Sequence, residues 1–136
     1  MPNWKQKSES SLEAATRLIN ESLPNPSVHC SYYSCVQYIF HVMKDYFGMD
    51  VEDIQSQSVS SVNMLGTHRW IQKEIFASLG QHDIMAANQF NDYIGRIKSL
   101  RVKADYHFSL VGSREAGKAH QLASDILNIL KENYGV

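Results

Sequence analysis

The stretch Val28-His-Cys-Ser-Tyr-Tyr-Ser-Cys-Val-Gln-Tyr-Ile-Phe-His-Val-Met-Lys-Asp-Tyr-Phe47 decides the fold. Its apolar and aromatic side chains (Tyr32, Tyr33, Val36, Tyr38, Ile39, Phe40, Val42, Met43, Tyr46, Phe47) fall on most sides of a 3.6-residue helix. A helix that is apolar on most sides must be packed by several neighbours, so this segment reads as the centre of a bundle. Gly48 is expected to stop it.

Working outward, Ser10 with Glu13 reads as a capping box ahead of Leu12, Ala15, Ile19 and Leu23 at helical spacing. Residues 1–9 are then a tail. Pro24-Asn25-Pro26 ends that first helix, and Ser27 caps the central one. Residues 49–66, with the Ser/Gln-rich run Gln55 to Ser61, are expected to be a long mobile connection. Thr67 caps a third helix with Trp70, Ile71, Ile75 and Leu79 inward, closed by Gly80. A fourth runs from about Asp83 to Ala104 on the stripe Ile84, Ala87, Phe90, Ile94 and Ile97. A loop through Gly112 leads to a fifth, about Ser113 to Asn133, with Ala119, Leu122, Ala123, Ile126, Ile129 and Leu130 on one face. No segment reads as a strand. The expectation is an all-α, antiparallel up-and-down bundle of about five helices in one domain spanning residues 1–136.

The balance of 43% apolar and 20% charged residues fits an ordinary globular chain rather than a disordered one. No apolar run approaches the roughly 20 residues a bilayer span needs, and Met-Pro-Asn-Trp-Lys-Gln-Lys is no signal peptide, so a cytoplasmic location is expected. Cys30 and Cys35 point to different sides of one helix and read as buried free thiols. The six histidines form no i, i+4 pair and no metal spacing with the cysteines, so neither a metal nor another cofactor is expected.

A net charge of −1 argues against a protein that coats nucleic acid without specificity. The distribution is uneven, however: residues 96–118 hold six basic side chains (Arg96, Lys98, Arg101, Lys103, Arg114, Lys118) against Asp105 and Glu115. Such a stripe can receive a phosphate chain or be a solvated helix face, the commoner case.

Within the stripe one position breaks the helical pattern. Arg101 falls where the apolar face of Ile94 and Ile97 would continue, about 20° around the axis from residue 94. Burying a guanidinium there without a partner costs on the order of several kcal/mol, so it must be paired or stand at a cleft. Asp105, one turn on, is the nearest partner and would make a structural brace. His107 lies six positions on, about 120° around, so it does not share a face with Arg101 in one straight helix. Convergence needs the helix to end near Tyr106 or a second copy to lie alongside. If it occurs, arginine and histidine are two of the groups a metal-free enzyme needs to cut RNA. Tyr106 reads as a core tyrosine with its hydroxyl at the surface, and His68 as a helix-start or core histidine.

The order of landmarks adds to this. Tyr32-Tyr33-Ser34 opens the aromatic helix, Gly66-Thr67-His68 opens the third with Phe76 eight residues after the histidine, Arg101-x-x-Ala104-Asp105-Tyr106 ends the fourth, and Ser113-Arg114-Glu115-Ala116 starts the fifth. In this order the chain resembles a HEPN domain (higher eukaryotes and prokaryotes nucleotide-binding) from the second helix onward. The resemblance implies a helical bundle that pairs into a homodimer. It implies a metal-independent endoribonuclease acting on single-stranded RNA, a toxin or defence effector, with Arg101 and His107 in the catalytic Arg-x(4 to 6)-His positions. Tyr106, Asp105, Lys98, Lys103, Arg114 and His68 would then support the site or bind substrate. Active members commonly carry Asn, Asp or His after the arginine, whereas this chain has Val102. The alternative that the resemblance implies is a non-catalytic module partnering a small nucleotidyltransferase, its antitoxin. A third reading, independent of the family, is a structural adaptor braced by Arg101 and Asp105.

Overall fold

The computed structural model describes residues 3–60, 66–107 and 110–136. Six helices follow one another: α1 (Trp4–Asn20), α2 (Pro24–Asp45), α3 (Val51–Ser60), α4 (Thr67–Gly80), α5 (Ile84–Tyr106) and α6 (Ser113–Tyr134). No strand occurs among the described residues. The chain is an all-helical bundle of six rather than five helices.

The central helix is where the sequence placed it. α2 contacts α1, α4, α5 and α6, and Tyr32, Cys35, Val36, Tyr38, Ile39, Val42 and Met43 are all buried on it. Helices consecutive in the chain run antiparallel where bonds join them: Ser8 meets Ser34 while Ser27 meets the carbonyl of Ala15, and Lys103 meets Glu115 between α5 and α6. The packed pair α2 and α6 runs parallel, Asn25 meeting Val111 at one end and Tyr38 meeting Val136 at the other. The inward stripes of the third and last expected helices are buried as read. On α5, Ile84 is the exception, 60% exposed one position after the cap.

Five local expectations are corrected. α1 begins at Trp4, not beyond Ser10, because Asn3 Oδ1 accepts the Gln6 amide at 3.0 Å and Trp4 stacks on Phe40. The supposed tail is therefore mostly helix. Pro24-Asn25-Pro26 starts α2 instead of preceding it, since the first helical turn has no intrahelical use for the amides that proline lacks. Ser27 is consequently no cap: its buried hydroxyl donates to the Ala15 carbonyl at 2.7 Å. Residues 51–60 of the expected loop form α3, started by reciprocal bonds between Asp50 and Asp53 and seated by Ile54, with residues 61–65 outside the described ones. Gly66, rather than Thr67, occupies the N-cap of α4.

α5 runs two residues past Ala104 and stops at Tyr106, with His107 as its C-cap. Asp83 caps its start by accepting the Ala86 amide at 3.1 Å. α6 opens with Glu115 accepting the Gly112 amide at 3.2 Å, and Gly135 closes it at φ +65°, a conformation that favours glycine.

Candidate functional site

The last two turns of α5 face the first half of α2 and the start of α4. There the Arg101 guanidinium, 20% exposed, is surrounded by rings: its carbon lies 5.4 Å from the Tyr32 ring centre, 5.9 Å from Tyr33 and 5.5 Å from Tyr106. Three electron-rich faces around one cation favour the charge. Nε sits 3.0 Å from Asp105 Oδ2, yet its N–H is not aimed at that oxygen, so the contact is coulombic rather than a hydrogen bond. Burial works against this charge, and Tyr33, Tyr106, Asp105 and Tyr32 together outweigh it, holding the guanidinium pKa above its ordinary value.

Asp105 also takes His29 from α2, whose Nδ1 lies 3.1 Å from the same Oδ2. The His29 ring packs against Tyr33 at 4.5 Å between centroids. His68 stands 5.8 Å from Tyr33 and 6.2 Å from Tyr32. Burial first, then the nearby charges of Arg101 and Lys98, push its pKa down. His68 thus belongs to the cluster and favours its neutral form.

Beside this cluster, α4 and α5 enclose a groove of about 370 Å³ lined by Arg69, Gln72, Lys73 and Phe76 on one wall and Asn91, Ile94, Gly95 and Lys98 on the other. Three cations and no carboxylate line it. Arg69, Lys73 and Lys98 form no ion pair with any described residue. Lys98 feels its surroundings: burial first, then Arg69 and Arg101, lower its pKa. The groove and the Arg101 cluster therefore share one positive field. Through Gly95 and Lys98 the groove adjoins a second depression, about 420 Å³, reaching Ser99, Val102 and His107.

The expected site residues divide accordingly. Arg101, Asp105, Tyr106 and His68 come together. Lys98 joins the groove to them, and His107 lines its far depression. No contact links His107 to Arg101 within one chain among the described residues; the helix ends at Tyr106 as convergence would need, but the imidazole lies on the Lys98 side. Tyr106 is no core tyrosine: it is 69% exposed. Lys103 is committed elsewhere, its Nζ donating to Glu115 Oε2 at 2.7 Å, and Arg114 is exposed at the start of α6. That bond, with the Gly112 amide, keeps the Glu115 carboxyl below its usual range. Sequence reasoning missed Arg69 and Lys73, one turn apart on α4 and readable as an i, i+4 basic pair. It also missed His29, 76 positions from Asp105, for which no local signal exists.

Among the described residues, no group of three His, Cys, Asp or Glu side chains gathers as a metal site would. No family model, curated protein or solved structure matches the chain.

Proposed function

We propose that this protein is a metal-independent endoribonuclease of HEPN type that binds single-stranded RNA along the α4–α5 groove and acts as a homodimer, in a toxin or defence role. One observation carries the reading: an acid-free groove with Arg69, Lys73 and Lys98 adjoins the depression that holds His107, and its Lys98 lies in the field of Arg101. Solvated lysines with no anion opposite attract a polyanion, and release of its counterions drives binding. The Phe76 ring and the Gln72 and Asn91 amides offer a base a stacking face and hydrogen-bonding edges.

In the chemistry proposed, the RNA 2′-hydroxyl attacks the adjacent phosphorus and the 5′-oxygen leaves, yielding a 2′,3′-cyclic phosphate and a 5′-hydroxyl. Arg101 holds the non-bridging oxygens as charge develops on them. An imidazole takes the 2′-proton and another gives one to the leaving oxygen. His107 fills one of these roles, a second copy of the chain bringing it toward the partner's phosphate site. The deciding experiment is incubation of the purified chain with labelled single-stranded RNA in EDTA, beside Arg101→Ala and His107→Ala. Cutting by the wild type that both substitutions abolish is expected. Equal cutting by all three removes the assigned roles.

A second reading has its own support, the separation of Arg101 and His107 within the protomer. In it the chain is a silent module that docks a small nucleotidyltransferase, and the exposed Tyr106 hydroxyl is a group such a partner can modify. Intact mass after co-expression distinguishes the two: an added nucleotide on Tyr106, with no RNA cutting, favours the module.

A further inference from the structure

We infer that His29, oriented by Asp105, is the general base beside Arg101, a role that rests on the ribonuclease reading and that leaves His107 as the acid. A base must be held in one tautomer with its free nitrogen facing the substrate. A carboxylate only accepts, so the 3.1 Å contact with Asp105 places a proton on His29 Nδ1. In the neutral ring that leaves Nε2 as the acceptor, and the bond to Asp105 is the ring's one hydrogen bond to a described residue. The side chain is 46% exposed against 23% for Asp105, which puts the imidazole at the rim and its orienting carboxylate behind it.

Arg101 completes the arrangement. Its Nε rests on the same Asp105 Oδ2 that holds His29, so one carboxylate oxygen fixes the guanidinium and the imidazole relative to each other. The terminal nitrogens of Arg101 make no hydrogen bond to a described residue, and the rings of Tyr32, Tyr33 and Tyr106 around it keep the fork in place. A phosphodiester bound to those nitrogens has the His29 imidazole nearby, since both groups rest on Asp105 Oδ2 and both lie against Tyr33. The His107 side chain has no orienting partner of this kind: its backbone amide donates to the Lys103 carbonyl at 3.2 Å, and the ring stands exposed.

Protons and electron pairs balance between the two rings. The 2′-oxygen forms its bond to phosphorus as its proton passes to His29 Nε2, and the bond from phosphorus to the 5′-oxygen breaks as that oxygen takes a proton from a His107 imidazolium. Exchange with water resets both rings. Asp105 is a positioning residue throughout.

The test uses the full chain with 5′-labelled single-stranded RNA in EDTA, comparing wild type, His29→Gln, His29→Ala, Asp105→Asn, Arg101→Ala and His107→Ala. Expected is a loss in rate of about 100-fold or more for His29→Gln, the usual range for a general base, with an unchanged melting temperature. Added imidazole should restore part of the activity to His29→Ala. Asp105→Asn should lower the rate while RNA affinity stays near wild type. Wild-type rates from His29→Gln, with Arg101→Ala and His107→Ala inactive, would overturn the role of His29 and leave the ribonuclease reading standing. A wild type that cuts no RNA would overturn both. A second measurement follows ¹⁵N-histidine resonances while a 2′-deoxy oligonucleotide, which cannot be cut, is added: His29 Nε2 should shift, and an unmoved resonance at saturation would overturn its placement.

Discussion

His29 Nδ1 and Asp105 Oδ2 meet at 3.1 Å although 76 positions separate them. The same oxygen lies 3.0 Å from Arg101 Nε. One acid thus serves a helix-internal cation one turn away and an imidazole from the central helix, tying the end of α5 to α2.

Removing that acid leaves a largely covered guanidinium without its anion. Asp105→Ala is expected to cost about 1–2 kcal/mol, between the values for exposed and buried pairs. For a domain of this size that lowers the melting temperature by roughly 3–8 °C. Replacing both partners, Arg101→Met with Asp105→Leu, should be close to neutral, because no charge is left stranded. Thermal unfolding by circular dichroism checks both; equal losses from the two would mean the pair is not a brace.

The groove makes a salt-dependence prediction. Arg69→Ala with Lys73→Ala should weaken single-stranded RNA binding and reduce the slope of log K against log salt by about 0.7 for each phosphate no longer neutralised. Fluorescence anisotropy from 50 to 300 mM salt (about a sixfold range) reads this. Lys103→Ala should leave the slope unchanged, because its ammonium already answers Glu115.

Two histidines set the acid side of the stability profile. Burial, the leading cause in both, holds His68 and His41 below the ordinary imidazole pKa; Arg101 and Lys98 add to it at His68, while at His41 the contribution of Asp45 opposes it. Protons then bind the unfolded chain more readily than the folded one. Stability should be complete above the unfolded value of about 6.5 and be lost as pH falls through the lower folded values. Urea unfolding at pH 7.5 and 5 should show the drop, and His68→Asn should make it smaller. A drop of the same size in the variant would exclude His68 as a source.

Gly95 sits mid-helix in the floor shared by both depressions, and a Cβ built there meets nothing within 4 Å. Alanine at this position should stabilise the chain by about 0.5–1 kcal/mol through helix propensity. It should also weaken RNA binding, because the methyl group narrows the groove. Chemical denaturation and anisotropy on the same variant test the two effects; tighter binding would place the RNA elsewhere.

The central helix is expected to dominate stability. Ile39→Ala, at a fully buried position of α2, should cost about 2–5 kcal/mol, whereas Val59→Ala, 67% exposed on α3, should stay within about 0.5 kcal/mol. Urea midpoints measure both.

Apolar spacing was enough to read α2, α4, α5 and α6 to within a few residues, because each buries a stripe that repeats at the helical period. It failed for α3, where Ile54 is the one large side chain fully buried and the Ser/Gln composition resembles a loop. It failed for the start of α1, where a single ring, Trp4, anchors a turn of otherwise polar residues. In the candidate site, the Arg101–Asp105 pair was legible because i, i+4 partners are dictated by helix geometry alone.

The number of helices, the acid-free wall opposite Lys98 and the company kept by Arg101 were decided elsewhere. The chain alone determined that a long aromatic helix lies at the centre of a helical bundle and that a cation interrupts the α5 stripe, since both follow from local periodicity. Tertiary packing alone decided that His29, Tyr33 and His68 gather around that cation and that His107 does not. Contacts between helices depend on how faces dock in space, and no spacing along the sequence encodes a meeting of residues 29 and 105.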